Sequence, residues 1–104
     1  MDCPYLHGDA ELTGERERHI RERHPELLPT YRDRIAATLL DPDEVRRSAR
    51  VANARLFSRW FDDIMGGKHV VVVVVSEVAP IRHWVVTAYL VRKLGQGDVE
   101  WKRN

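Results

Sequence analysis

The stretch Val70-Val71-Val72-Val73-Val74-Val75 decides the fold. β-Branched residues lose side-chain freedom in a helix, and a strand with one wet face would alternate, so an unbroken valine run predicts a strand covered on both sides. Gly66-Gly67 breaks the chain before this run, and Pro80 marks a turn after it. Residues His83 to Val91 then read as a partner strand. At period two, Trp84, Val86, Ala88 and Leu90 form one face, and His83, Val85, Thr87, Tyr89 and Val91 form the other. The connection is short enough for a hairpin, which makes the pair antiparallel. Past Gly95 and Gly97, Val99-Glu100-Trp101 has the pattern of a weak edge strand.

Upstream, residues 44–61 support two readings. Val45, Ala49, Ala52, Leu56 and Trp60 recur at helical spacing, with Asp41 as a cap and Pro42 at the first helical position. Leu56, Ser58 and Trp60 also alternate with Phe57, Arg59 and Phe61, and Ala52-Asn53-Ala54 can turn between two short strands. Periodicity alone leaves both open. Before them, Thr30 and Asp33 resemble a capping arrangement for a helix in which Tyr31, Ile35 and Leu39 share a face, ended by Asp41-Pro42-Asp43. An earlier helix starts at Thr13 as N-cap and alternates acids with arginines, with Ile20 as its only large apolar residue, so it is mostly solvated. Pro25 stops it at His24. Residues 1–14 read as a loop or short edge strand.

His24 therefore stands at a helix C-terminus, where unpaired carbonyls favour a cationic side chain. It is either an acid–base group or simply a helix cap. His19, on another helix face, is expected in solvent.

The 104 residues fit one domain, residues 1–104. The longest apolar run is too short to cross a bilayer and the N-terminus lacks a signal-peptide pattern, so a cytoplasmic chain with no membrane partner is expected. The single cysteine, Cys3, reads as a buried thiol, and too few ligands stand near it for zinc. The net charge of +1 hides an asymmetry. Residues 1–43 carry 6 Arg against 10 Asp or Glu, and residues 44–93 carry 7 Arg and 2 Lys against 4 acids. The basic later part suits an anionic partner, and arginine's planar fork suits phosphate.

His19-Ile20, Arg23-His24-Pro25-Glu26, Leu39-Leu40-Asp41-Pro42-Asp43, the valine strand and Val86-Thr87-Ala88-Tyr89 occur in an order that resembles the phage-associated nucleases of the barnase, EndoU, colicin and RelE-like (BECR) superfamily. The resemblance spans residues 19–91. It implies an α+β fold with N-terminal helices packed on a four-stranded antiparallel sheet, and it resolves residues 44–61 as two strands. It also implies a metal-independent endoribonuclease, toxin-like or phage-associated, that needs no cofactor. RNA would be its substrate, and an antitoxin or immunity protein its partner. His24 matches the family's Arg-His-Pro-Glu motif, and Thr87 and Tyr89 match Thr-Ala-Tyr. The arginines at 46, 47, 55, 59 and 82 match no motif.

Metal-free cleavage of RNA uses the 2′-hydroxyl as nucleophile and requires a proton acceptor, a proton donor and cations for the developing charge. On this reading His24 is the acid or base. Thr87 bonds a phosphate oxygen or orients His24, and Tyr89 stacks or donates a hydrogen bond. Arg46, Arg82, His83 and His19 are the candidate substrate contacts. At ~3.3 Å per residue His83 lies about 13 Å from Thr87, too far for direct cooperation. A non-catalytic RNA-binding or protein-interaction module on the same fold is the alternative, and a structural subunit pairing through its edge strand is a third.

Overall fold

The computed structural model describes residues 1–104. Strands β1 (Asp2–Cys3) and β2 (Gly8–Glu11) are separated by a short 3-10 turn, Pro4–Leu6. Helices α1 (Gly14–Arg23) and α2 (Arg32–Leu40) follow, then β3 (Glu44–Arg47), β4 (Ala54–Phe61), β5 (Lys68–Val78), β6 (Ile81–Val91) and β7 (Asp98–Lys102). The valine run lies in β5, between β4 and β6. Val70, Val72 and Val74 are fully buried in a cluster with Ile20 of α1 and Ile35 and Leu39 of α2, while Val71, pointing the other way, is also buried. Residues 44–47 and 54–61 are strands, so the helix reading of that segment does not hold.

The expected four-stranded antiparallel sheet is corrected by the structure. All strands join one seven-stranded, half-barrel sheet in the order β1-β2-β6-β5-β4-β3-β7. It is mixed, because β2 runs parallel to β6, with Ala10 opposite His83 and Glu11 opposite Trp84. Nothing local announces this pairing. In Gly8-Asp9-Ala10-Glu11 only Ala10 is apolar and buried, so the strand carries no alternation of its own and forms because β6 offers it an edge.

Helix α1 has the expected ends: Thr13 Oγ1 accepts from the Arg16 N–H at 3.2 Å, and the His24 N–H donates to Ile20 O at 2.6 Å. The second helix does not start at Thr30. Its N-cap is Tyr31, with no side-chain cap, and packing of Ile35, Thr38 and Leu39 against the sheet holds it instead.

Two bulges re-aim side chains. In β6, Thr87 lies opposite Val73 but Val85 lies opposite Val74, so Val86 is an extra residue. The alternation expected for His83 through Val91 changes phase there. Val85 and Ala88, three apart, are both fully buried on the helix-bearing face. His83 therefore sits on the opposite face from Thr87 and Tyr89, contrary to the period-two expectation. In β7, Trp101 lies opposite Val45 and Val99 opposite Arg46, leaving Glu100 as the extra residue. Residues 92–97 then carry the chain from β6 to the far edge of the sheet. Gly97 adopts φ +88° there, where a Cβ would collide with the Arg47 carbonyl.

Candidate functional site

The face of the sheet turned away from the core helices carries Arg46 on β3, Leu56, Ser58 and Trp60 on β4, His69, Val71 and Val73 on β5, and Thr87, Tyr89 and Val91 on β6. Residues Lys93 to Gln96 pass over it. Between strap and sheet lies a recess of about 40 Å³, walled by Arg46, Ser58, Tyr89, Lys93 and Gln96 over an apolar floor that includes Leu56 and Val71. One water needs ~10–15 Å³, so this space holds a few waters or a small oxyanion.

Arg46 is the unusual wall. Its side chain is four-fifths buried, and its guanidinium makes only long contacts: Nη2 to Glu44 Oε1 at 3.3 Å and Nη1 to the Gln96 carbonyl at 3.4 Å. Its Nε is buried without any partner. A well-made N–H···O bond is about 2.9–3.0 Å, and leaving a buried donor unpaired costs about 1–3 kcal/mol. Alternation on β3 points Val45 into the core and Glu44 and Arg46 outward to this face. Glu44 is itself nearly buried.

Tyr89 forms the opposite wall. Burial pushes its phenol pKa up, against a smaller lowering by its hydrogen bond with Gln96, so it stays protonated near neutrality and is a donor. Because β2 pairs with β6 only at His83 and Trp84, the C-terminal end of α1 lies alongside the later part of β6. The His24 ring thus comes within 6.0 Å of the Tyr89 ring. Its Nδ1 is 3.4 Å from Glu26 Oε1, two residues on in the same turn. That contact is longer than a made hydrogen bond, so it places the carboxylate beside the ring without setting which nitrogen carries the proton. His24 is thus both cap and neighbour of the recess.

The structure places Arg46 and Tyr89 in the walls of one recess and the His24 ring 6.0 Å from the Tyr89 ring. Thr87 lies on the same face two residues from Tyr89, ~7 Å along the strand and outside the recess wall. The other expected contacts lie elsewhere. Arg82 pairs with Glu11 at 2.7 Å and covers the Trp84 ring. His83 Nδ1 is hydrogen-bonded with Ser76 Oγ at 2.7 Å on the helix-bearing face. His19 is half-buried on α1, five residues before His24 and on a different side of the helix.

Sequence reasoning missed Glu44, Ser58, His69, Lys93 and Gln96. Glu44 and Ser58 left a signal, since both are polar at positions where β3 and β4 point away from the core. Lys93 and Gln96 left none, because their placement depends on the course of the strap. No three His, Cys, Asp or Glu side chains converge as metal ligands would. No helix is long and apolar enough to cross a membrane.

Compared with known family models, curated proteins and solved structures, the chain matches none.

Proposed function

We propose that this protein is an endoribonuclease that cleaves RNA through its own 2′-hydroxyl, without a metal, with the recess as the phosphate site. The observation that carries the reading is the buried, unpartnered Nε of Arg46 in the wall of a small recess whose Tyr89 wall has the His24 ring 6.0 Å away. An RNA phosphate oxygen supplies the acceptor that Arg46 lacks.

In the reaction, a ring nitrogen of His24 takes the 2′-hydroxyl proton as the 2′-oxygen bonds to phosphorus. The bond from phosphorus to the 5′-oxygen breaks, the leaving oxygen takes a proton from a solvent water to become a hydroxyl, and the protonated His24 returns its proton to the hydroxide so formed. The other product is a 2′,3′-cyclic phosphate. Arg46 and Lys93 offset the charge that grows on the phosphoryl oxygens, and Tyr89 donates a hydrogen bond to them. Thr87 lines the path of the strand beside the scissile phosphate. DNA has no 2′-hydroxyl and is not a substrate. A cell making such an enzyme needs an inhibitory protein partner.

The test is incubation with cellular RNA and matched DNA in excess EDTA, beside a folded His24→Ala protein. Cleavage of RNA alone, leaving cyclic phosphate ends and lost in His24→Ala, is expected. Intact RNA, or equal cleavage by the variant, sinks the reading. RNA bound but uncut would identify a binding module instead.

A further inference from the structure

Trp60 is 38% exposed, yet its ring and its backbone are contacted from several sides. Its indole Nε1 donates to Asp62 Oδ1 at 2.5 Å, and its backbone N–H donates to Asp43 Oδ2 at 2.8 Å. Gly67, at φ +106°, lets the chain lie against the ring, where a Cβ would collide with it. His69, directly across the strand pair, meets the indole edge-on with ring centres 4.8 Å apart. Burial lowers the His69 pKa, only partly offset by Asp43 and Glu44, so the imidazole is neutral near pH 7. An aromatic side chain that is immobilised but left open to solvent has paid its ordering entropy before any ligand arrives.

Its position is as informative as its rigidity. Trp60 follows Ser58 by two residues on the recess face, and His69 precedes Val71 by two. The aromatic pair therefore lies ~7 Å from the recess, about the step from one phosphate to the next base along an extended single strand.

We infer that Trp60, braced by His69 and Gly67, is a stacking platform for an unpaired nucleobase next to the phosphate held in the recess. This rests on the reading of the recess as an RNA phosphate site. Stacking is tolerant of base identity, so the platform sets register along the strand and needs no particular sequence. Paired RNA hides its base faces, and the platform therefore selects single-stranded RNA.

The test compares two non-cleavable ligands, a 2′-O-methyl adenosine tetranucleotide and the same sugar–phosphate tetramer without bases, titrated against the parent, Trp60→Phe and Trp60→Ala proteins. The parent should prefer the base-bearing ligand about tenfold, with indole fluorescence quenched on binding. Trp60→Phe should keep most of that preference, and Trp60→Ala should bind both ligands alike. Equal binding of both ligands by the parent, or an undiminished preference in Trp60→Ala, overturns the platform while leaving the phosphate site standing. Failure of the parent to bind either ligand overturns the platform and the RNA reading together.

Discussion

The two faces of the sheet each carry a cluster of the same residue types, centred on Arg47 and Arg46, neighbours on β3. On the helix-bearing face Glu100 accepts from the Tyr5 hydroxyl at 2.6 Å, from Arg47 Nε at 2.7 Å and from Arg55 Nε at 2.8 Å. On the other face Glu44, Arg46 and Tyr89 repeat the same residue types, but Arg46 reaches its partners only at 3.3 and 3.4 Å and leaves Nε unpaired. Composition does not separate these clusters. Completeness does: the first is closed and ties the 3-10 turn to β7, whereas the second has a donor to spare beside an open recess.

The largest expected effect probes the open cluster through its neighbour. His24→Ala should lower RNA cleavage by ~10²–10⁴-fold with an unchanged circular dichroism spectrum, because its helix-capping contact is made by the backbone N–H. Next comes a pair of substitutions that should behave oppositely. Arg46→Ala should cost about a hundredfold in rate, since an electrostatic contact to the transition state is lost. Arg55→Ala should leave the rate intact and lower stability by about 1–3 kcal/mol in urea unfolding, since Glu100 then loses a charged partner. If both substitutions acted on stability alone, the contrast between the clusters would be broken.

The closed cluster also has a pH signature. Burial, together with the hydrogen bond to Glu100, pushes the Tyr5 pKa up to about 12. A raised folded value favours the protonated phenol, so this contribution is complete below the ordinary tyrosine value of 10.0 and is lost as pH rises from there through about 12. Burial raises the Glu100 pKa, but the bonds from Tyr5 and Arg55 and the charge of Arg55 outweigh it, leaving the net value lowered. Its contribution is present above the ordinary carboxylate value and is lost as pH falls through the lowered one. Tyr5→Phe should remove the alkaline part of this profile, read as thermal midpoint against pH. The smallest effect belongs to Arg82→Ala: an exposed pair with Glu11 is screened by solvent, so cleavage and thermal midpoint should both stay near the parental values.

The pattern in the sequence made some of this legible and hid the rest for physical reasons. The valine strand, its hairpin with β6 and both ends of α1 follow from β-branching, Pro80, Thr13 and Pro25, which act on their own neighbourhoods. The parallel pairing of Ala10 with His83 joins segments 73 residues apart, and no local preference encodes it. Of the site, His24 and Tyr89 were readable from the family-like motifs and Arg46 from charge. The convergence of Arg46 and Tyr89 with Lys93 and Gln96 was not, because it depends on where a six-residue strap crosses the sheet. His83 was misplaced by a single extra residue.

That residue, Val86, has no partner in the ladder, and the facing of its neighbours does not depend on it. Another β-branched side chain at 86 leaves the assignment of every neighbour to a face as it is. Deleting the residue would restore strict alternation across the strand. Val85 and Ala88 would stay in the core and Thr87 and Tyr89 on the opposite face, because Val85 and Thr87 already lie opposite the consecutive residues Val74 and Val73, so a one-codon deletion here would remove the bulge and leave both halves of the strand facing as they do now.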